Sequence, residues 1–376
     1  MKILLFAILF TVIFIANVFA EDKIKWIDAE ELGIKGKGFP DAKAYRRLSD
    51  KDLETMHKIL PYIGEPKNKA FPYVGECSAG LHIDFKTNAR IIKVRWSVKY
   101  CDFPTNITFS NQSGLDLYIL LGDKFRYVNT ALGDMFEKDN VERTLVNTGM
   151  GRIPGGMNEY TLNLATYDEV TKLEIGIPEN AKIESVPDKP DYIAIYGTSI
   201  TQGGCASRPG MIYSHMLRRE LNEEIVNLGF SGSGLLQPEM TDILCKLNPK
   251  LMIMDSLANM GSLKKEDFYE RFEYFYTSFR KAHPKTPILF LGHPAYTNSW
   301  TWYDYSKGDD DPTNVYTKDL INKWNDPNVY FIEGKDLYGD DWEGTVDSVH
   351  ATDLAYVRIT EKILPVILTI LKSPKF

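Results

Sequence analysis

The chain has 376 residues, of which 44% are hydrophobic and 25% are charged. This is the composition of a folded globular protein, and the length is sufficient for two hydrophobic cores. A formal net charge of −7 argues against a nucleic-acid partner, because an acidic surface does not attract phosphate backbones. The histidines and cysteines form no Cys-x-x-Cys or His-x-x-x-His pair, so the sequence predicts no metal site.

Residues 1–20 have the pattern of a cleavable secretory signal peptide. One lysine precedes a long apolar run, and Val18-Phe19-Ala20 stands before two acidic residues. The pattern predicts a secreted or periplasmic protein that is not inserted stably in a membrane. A retained membrane anchor is the alternative, although the apolar core is only about 17 residues long and its following flank is acidic.

Residues 21–186 are predicted to form an antiparallel β-sandwich, similar to a jelly roll. One helix is expected near 49–60, with Ser49 or Asp50 as its N-cap. Short alternating runs separated by Gly, Asn, Asp and Pro then indicate strands. The predicted strands are 81–85, 91–98, 107–109, 115–120, 160–164 and 172–177. A linker at 187–190, Pro-Asp-Lys-Pro, ends this domain because it continues neither a helix nor a central strand.

Residues 191–376 alternate between strand and helix patterns. The predicted strands are 192–196, 225–228, 250–254, 288–291 and 329–332, and the predicted helices are 211–223, 238–246, 264–283, 313–324 and 353–371. Five buried strands with interleaved helices favour a doubly wound parallel sheet of the flavodoxin type. The chain as a whole is therefore predicted to be an α/β protein with a β-sandwich domain in front.

A serine follows the first of these parallel strands, in Gly197-Thr198-Ser199. This is the sheet edge at which open α/β folds bind ligands. A lone serine there is usually only the N-cap of the next helix. However, Asp347-x-x-His350 precedes the last helix, and an aspartate in this position can orient the histidine so that its other ring nitrogen takes a serine proton. Ser199, Asp347 and His350 are therefore predicted to form an acyl-transfer triad.

Two further strand ends supply candidate oxyanion donors. The glycine-rich run 227–234 follows the second strand, and its glycines let a backbone N–H approach a developing oxyanion. Asn259 follows the third strand, and its side-chain amide offers a second donor.

Taken together, Gly197-Thr198-Ser199, Gly232, Asn259 and Asp347-x-x-His350 resemble the four sequence blocks of the SGNH (GDSL-type) hydrolases, in the same chain order. The resemblance implies that Ser199 is the nucleophile, His350 the general base and Asp347 its orienting partner. It also implies an oxyanion hole made by the Ser199 N–H, the Gly232 N–H and the Asn259 amide, and it implies no metal or organic cofactor. Thr198 stands where many members have aspartate, and Ala258-Asn259-Met260 stands where many have Gly-x-Asn-Asp. Neither departure removes a group that carries charge or protons in the reaction.

The N-terminal half carries a second resemblance. Gly114-Leu115-Asp116-Leu117-Tyr118 is similar to the Gly-x-Asp-Leu-Tyr signature of a β-sandwich domain that precedes one exported bacterial branch of the family, and Gln202 to Gly210 spells the continuation that this branch has after the nucleophile. This domain binds carbohydrate, completes the rim of the active site, or only stabilises the enzyme. For Asp116, a substrate role and the satisfaction of turn N–H groups stay equally open.

Four other residues are candidates for substrate binding. Arg208 either contacts a substrate carboxylate or hydroxyl or pairs with an acid, and His293 either lines the pocket or is a hydrogen-bonded structural residue. Trp300 and Trp302 lie in the long connection 296–312, where aromatic rings either stack on sugars or pack in the core. The acidic run 309–311 reads as a helix start or, alternatively, as a calcium ligand set.

The cysteines allow several arrangements. Cys77 with Cys101 and Cys205 with Cys245 would keep each disulfide inside one domain, but four cysteines permit three pairings, and free buried thiols are an equal alternative.

The predicted function is ester hydrolysis through an acyl-enzyme. Export, an acidic surface, an aromatic loop and an accessory sandwich favour a small acyl group, acetyl in particular, on a carbohydrate, so the expected partner is an acylated small molecule or glycan. The alternatives are a lipid or short-chain carboxylesterase, a thioesterase or peptidase using the same triad, and a non-catalytic glycan-binding protein. The sequence leaves open the particular acyl group, the glycan or alcohol, and the oligomeric state.

Overall fold

A computed structural model describes residues 23–60, 71–101, 106–134, 136–147, 153–304 and 310–372. The predicted signal peptide lies outside these ranges, and within them no helix has both the length and the apolar character needed to cross a membrane. The described residues form two antiparallel sheets in the N-terminal part of the chain and one parallel sheet in the C-terminal part. The division into two domains at 187–190 stays a prediction.

The N-terminal region consists of two antiparallel sheets with a few short helices. Its strands are β1 (Ile24–Asp28), β2 (His82–Thr87), β3 (Ile91–Val98), β4 (Leu115–Leu121), β5 (Lys124–Ala131), β6 (Val141–Asn147), β7 (Asn158–Asn163), β8 (Val170–Pro178) and β9 (Ile183–Ser185). Its helices are α1 (Ala29–Leu32), α2 (Asp50–Ile59), α3 (Phe71–Glu76) and α4 (Phe109–Gln112). The sheet orders are β1-β8-β3-β6 and β5-β4-β7-β2-β9.

The inner faces of these two sheets share one hydrophobic core. Alternate residues of β3, such as Val94 and Trp96, pack in the same cluster as Leu117 of β4 and Leu162 of β7. The Trp96 indole N–H donates to the Ser113 carbonyl at 3.0 Å, so its one polar group is satisfied inside the core. Burying a large side chain of this kind stabilises the fold by roughly 1.5–3 kcal/mol.

Most predicted elements of this half form, but one predicted strand is wrong. Residues 107–109 are not a strand, because the Thr108 hydroxyl accepts from the Asn111 N–H and starts the short helix α4. Strands β1, β5, β6 and β9 were not predicted, since most of their side chains are exposed or half-buried. Helix α2 begins after Ser49, whose hydroxyl accepts from the Asp52 N–H at 3.2 Å.

The C-terminal region is a doubly wound sheet. Its strands are β10 (Tyr192–Gly197), β11 (Glu224–Gly229), β12 (Leu251–Asp255), β13 (Ile288–Leu291) and β14 (Val329–Ile332). Its helices are α5 (Ser199–Gln202), α6 (Tyr213–Leu221), α7 (Pro238–Leu244), α8 (Leu257–Met260), α9 (Lys265–Ala282), α10 (Pro312–Trp324) and α11 (Asp353–Leu371). All adjacent strands are parallel, in the order β11-β10-β12-β13-β14. Counted within this region the order is 2-1-3-4-5, so the predicted flavodoxin-like sheet is confirmed.

Both faces of this sheet are buried, and this explains the nearly continuous apolar runs of its strands. Helices α6 and α11 contribute to the core on one face, while α7, α9 and α10 contribute to the core on the other. The carboxyl ends of three strands lie side by side, because Gly197 is in register with Gly229 of β11 and with Asp255 of β12. Loops that leave these ends therefore meet at one edge.

Candidate active site

Ser199 is the first residue of α5, directly after β10. A tight turn makes this possible, because a side chain at Gly197 would place its Cβ 1.9 Å from the Thr201 hydroxyl oxygen. The Thr198 hydroxyl accepts from the Ile200 N–H at 3.2 Å and caps the helix. Thr198, where many relatives of the expected family have aspartate, is thus the N-cap, and the serine itself is left for other contacts.

The loop before α11 brings His350 to the serine. The His350 Nε2 lies 2.9 Å from the Ser199 Oγ, and the His350 Nδ1 lies 2.7 Å from the Asp347 Oδ2. An ionised carboxylate only accepts hydrogen bonds, so the ring proton is on Nδ1 and Nε2 is the acceptor for the serine hydroxyl. The structure thus brings together the three residues of the predicted triad from opposite ends of the C-terminal region.

The Asp347 carboxylate is fixed at both oxygens. Its Oδ1 accepts from the backbone N–H groups of His350 at 2.8 Å and Val349 at 3.1 Å, while its Oδ2 accepts from the His350 ring and from the Asn106 side chain. Burial raises the pKa of Asp347, but the hydrogen bonds from His350 and Asn106 outweigh burial and hold the pKa at about 2. The carboxylate therefore stays ionised throughout the neutral range.

Gly232 and Asn259, two of the predicted oxyanion donors, follow β11 and β12 at this edge. Gly232 has φ +66° in the turn after β11, a left-handed conformation that favours glycine. Asn259 lies in α8, after β12, and its Oδ1 accepts from the Gly234 N–H at 3.0 Å. Because this bond holds the carbonyl end of the amide, the Nδ2 end is the one that remains to donate to a substrate oxygen.

Behind the serine, a buried polar cluster holds α5 in place. The Thr201 hydroxyl donates to the Asp255 Oδ2 at 2.6 Å, and the Tyr213 hydroxyl donates to the same oxygen at 2.9 Å. The Asn227 amide donates to the Thr201 carbonyl at 2.6 Å. Burial raises the pKa of Asp255 to about 6, against the opposing effect of its two hydrogen bonds. Sequence reasoning missed Asp255, although its place at the end of β12 was a signal.

Arg208 contacts the N-terminal region. Its Nη1 donates to the Asp116 Oδ2 at 2.7 Å and to the Tyr118 hydroxyl at 2.6 Å. Asp116 is fully buried and also accepts from the Gly210 N–H and the Asn163 amide, both at 2.8 Å. The Gly-x-Asp-Leu-Tyr motif and the run after Ser199 thus bind each other.

The other candidate binding residues lie in the connection after β13. Trp300 and Trp302 are 61% and 67% exposed, respectively. His293 is half-buried, with its Nδ1 2.9 Å from the Pro294 carbonyl. The Thr297 hydroxyl lies 2.6 Å from the Thr345 hydroxyl, which ties this connection to the loop that carries Asp347.

The remaining candidate ligand groups have simple surroundings. Asp311 caps α10 by accepting from the Thr313 N–H, whereas Asp309 lies outside the described residues. Cys77, Cys205 and Cys245 carry free thiols, so neither of the two disulfides considered above is formed. Within the described ranges, one group of side chains is close enough to hold a metal ion: Cys205, Asp347 and His350, whose ligand atoms lie within 4.8 Å of one another. Two of these three are already bonded to each other.

The fold and this edge define an α/β protein of the flavodoxin type with a Ser–His–Asp constellation at the carboxyl ends of its strands. Comparison with protein families adds that residues 189–368 match the GDSL-like lipase/acylhydrolase family and that residues 24–183 match the N-terminus of Esterase_SGNH_hydro-type proteins, known as GxDLY. A crystal structure described as that of a GDSL-like lipase from Bacteroides ovatus is 30% identical, with a TM-score of 0.80, over 93% of this chain and 98% of that one. The chain therefore belongs to the GDSL-like lipase/acylhydrolase family, as its motifs predicted, and is an esterase-type hydrolase.

More distant structures share the fold. The salicylyl-acyltransferase SsfX3 from a tetracycline biosynthetic pathway is 16% identical, with a TM-score of 0.69, over 94% of this chain and 99% of its own. A family two carbohydrate esterase from Cellvibrio japonicus is 12% identical, with a TM-score of 0.56, over 93% of this chain and 99% of its own. No curated protein matches the chain.

Proposed function

We propose that this protein is a serine esterase that removes small acyl groups, acetyl in particular, from carbohydrate. One observation carries the proposal: a continuous hydrogen-bond chain runs from Asp347 through His350 to the Ser199 Oγ, with distances of 2.7 and 2.9 Å. This chain gives the serine a base, and gives the base a fixed tautomer and orientation.

In the first half of the reaction, the Ser199 Oγ attacks the ester carbonyl carbon while His350 Nε2 takes the hydroxyl proton. The carbonyl oxygen becomes an oxyanion, which accepts hydrogen bonds from the backbone N–H groups of Ser199 and Gly232 and from the Asn259 amide. The bond to the alcohol then breaks, and the imidazolium gives its proton to the leaving oxygen. The products of this half are the free alcohol and an acyl-enzyme.

In the second half, water repeats the same steps. His350 takes a proton from water as its oxygen attacks the acyl carbon, the same donors hold the oxyanion, and the proton returns to the Ser199 Oγ as the acid leaves. Asp347 keeps its negative charge throughout, because its pKa of about 2 is far below neutral pH. Its charge therefore stabilises that cation in both halves.

Carbohydrate as the substrate is supported by the exposed Trp300 and Trp302. Exposed large aromatic side chains are common at binding surfaces, and aromatic faces stack well on sugar rings. Their connection is tied to the Asp347 loop through Thr297 and Thr345. The carbohydrate esterase from Cellvibrio japonicus has the same fold, which adds support for a sugar substrate. Export through the signal pattern at 1–20, with subsequent cleavage, would place the enzyme where such polymers occur.

The test is the hydrolysis of 4-nitrophenyl acetate, butyrate and octanoate, and of acetylated xylan and pectin, by the protein without residues 1–20. We expect acetate to be the preferred acyl group and Ser199→Ala to lower the rate at least about 10⁴-fold. The matched control is Ser185→Ala, which replaces an exposed serine at the end of β9 and should not change the rate.

Each other outcome points to a different function. Preference for octanoate would favour a lipid esterase, and faster turnover of thioesters or amides would favour a thioesterase or peptidase. If neither the wild type nor Ser199→Ala hydrolyses any ester while both bind a glycan, the protein is a binding protein that keeps the scaffold of a hydrolase.

A further inference from the structure

One triad contact comes from the N-terminal region. The Asn106 Nδ2 donates to the Asp347 Oδ2 at 2.6 Å, and this is the same oxygen that accepts from the His350 ring. We propose that Asn106 is a positioning residue of the active site: it holds the Asp347 carboxylate, and through it the His350 ring. This inference rests on the proposed function of the triad, and it makes the N-terminal region part of the catalytic machinery.

The segment that carries Asn106 is firmly attached to the loop after the nucleophile. The Thr108 hydroxyl lies 3.1 and 2.9 Å from two carbonyl oxygens of the 203–207 loop, the Ser110 hydroxyl donates to one of them at 2.5 Å, and the Asn111 amide donates to a third at 2.7 Å. Asn106 therefore stands only two residues from an anchored position. The same loop follows directly on α5, which begins with Ser199. The segment that contacts Asp347 is therefore attached to the segment that carries the serine.

The carboxylate needs this fourth donor because it is accessible to water. The side chains of Asp347 and His350 are 31% and 25% exposed, respectively. Two backbone N–H groups occupy Oδ1, and the histidine ring with Asn106 occupies Oδ2. With two donors on each oxygen, the carboxylate is held against rotation about its χ2 bond. Without the Asn106 amide, water competes at Oδ2, and the bond that orients the imidazole loosens.

Asn106 takes no part in proton transfer. Its amide donates one hydrogen bond before, during and after the formation of the imidazolium, so its contribution is geometric. Loss of comparable outer contacts to histidine and carboxylate groups costs about 10- to 100-fold in metal sites, and a small misplacement of catalytic groups costs a similar factor. We therefore expect Asn106→Ala to lower kcat on 4-nitrophenyl acetate about tenfold, with KM unchanged.

The isosteric change Asn106→Asp gives a readout that a role in folding alone does not produce. It keeps the shape, removes the N–H donor and places a second carboxylate beside Asp347. Two such groups share a proton as the pH falls, and the shared proton restores a hydrogen bond. Among the described residues, the other titratable groups that interact with Asp347 besides His350 are the Cys205 thiol, whose pKa burial raises to about 12, and the phenols of Tyr296 and Tyr338, whose pKa values burial also raises, so all three stay neutral. The kcat of Asn106→Asp relative to wild type should therefore change with pH between pH 8 and pH 5, while that of Asn106→Ala stays constant.

Three controls make the result specific. Asn158→Ala removes a half-buried asparagine of the same region that donates to nearby loop carbonyls, and it should leave kcat within twofold of wild type. Melting temperatures identify any variant that is merely unstable. In that case the pH dependence of the Asn106→Asp kcat, relative to wild type, still tests the positioning role. In an Asp347→Ala background, Asn106→Ala should cause no further loss, because the group it positions is gone.

One outcome would overturn this inference and leave the proposed function intact. In it, the wild type hydrolyses esters through Ser199, Asn106→Ala keeps the wild-type kcat, and the kcat of Asn106→Asp relative to wild type does not change with pH. Labelling of Ser199 by a fluorophosphonate supplies a second measurement that needs no substrate. We expect Asn106→Ala to slow labelling by the same factor as kcat. A wild type that neither hydrolyses esters nor reacts with the probe would overturn both proposals.

Discussion

The buried carboxylate of Asp116, on β4, lies 2.7 Å from the guanidinium of Arg208, in the loop that follows the candidate nucleophile. The pair joins the two most recognisable motifs of the chain, one in each half. Asp116 also accepts from the Gly210 N–H, so it holds the backbone of that loop as well as one side chain.

We expect Asp116→Ala to lower the free energy of unfolding by about 3–5 kcal/mol, because it leaves the half-buried Arg208 cation without its partner. Urea denaturation followed by tryptophan fluorescence measures this loss. Asp116→Asn keeps acceptors for Gly210 and should cost less. An Asp116→Ala variant as stable as the wild type would show that the pair does not hold the two halves together.

Arg208 was also a candidate substrate contact. If its role is to pair with Asp116, Arg208→Met should lower stability and leave KM for 4-nitrophenyl acetate unchanged, and its effect should not add to that of Asp116→Ala. A raised KM with unchanged stability would instead assign Arg208 to substrate binding.

The oxyanion role of Asn259 predicts a selective loss of rate. Asn259→Ala should lower kcat about 10²- to 10³-fold with little change in KM, because the bond to the oxyanion forms only in the transition state. Steady-state kinetics on 4-nitrophenyl acetate measure both constants. The matched control is Asn248→Ala, which should behave as wild type. It replaces an exposed asparagine near the opposite ends of the strands. A rise in KM at constant kcat would contradict the assignment.

Asp255 predicts a dependence of stability on pH. Burial raises its pKa from 3.8 to about 6 in the folded state, so it binds a proton more tightly when folded. The stability that this tighter proton binding contributes is therefore fully present below pH 4 and is lost as the pH rises through 6. The loss in the free energy of unfolding amounts to about 3 kcal/mol at pH 8. Asp255→Asn has no charge to bury.

We therefore expect Asp255→Asn to match the wild type in unfolding free energy near pH 4 and to exceed it at pH 8. Urea denaturation at both values tests this, with Asp336→Asn, in an exposed surface ion pair, as the control. An equal difference at the two pH values would show that Asp255 does not titrate in this range.

The aromatic side chains near the Asp347 loop predict a separation between small and polymeric substrates. Trp300→Ala and Trp302→Ala should each raise KM for acetylated xylan about 3- to 10-fold, since a stacked ring contributes roughly 1 kcal/mol. The kcat/KM for 4-nitrophenyl acetate should stay unchanged, because this ester offers no sugar ring. Tyr274→Ala, an exposed aromatic on α9, is the control. An equal loss on both substrates would contradict a role in glycan binding.

The success of the sequence reasoning in the C-terminal region has a physical cause. Buried parallel strands such as Leu251–Asp255 are continuous apolar runs, and amphipathic helices such as Lys265–Ala282 repeat every 3.6 residues, so both leave a local pattern. Ser199 and Asn259 follow strands of one parallel sheet, whose carboxyl ends lie at the same edge. Their proximity was therefore predictable once the strands were recognised.

The failures occur where no local pattern exists. Residues 107–109 have the composition of a strand, but the Thr108 hydroxyl caps a helix instead. Strand β5 is largely exposed, and its pairing with β4, not apolar alternation, determines it. Asp255 directly follows the apolar run of β12, yet only its contacts with Thr201 and Tyr213 show that it holds helix α5.

The family, the doubly wound sheet and the chain order of serine, glycine, asparagine, aspartate and histidine were predictable from the amino-acid sequence, because each motif and each element consists of residues close together in the chain. The hydrogen bonds from Asn106 to Asp347 and from Arg208 to Asp116 depend on how distant segments pack. Each of these pairs joins residues far apart in the sequence. A single side chain carries no local mark of the distant group that it will contact, so such pairs become visible only once the two sheets and the α/β region are packed together.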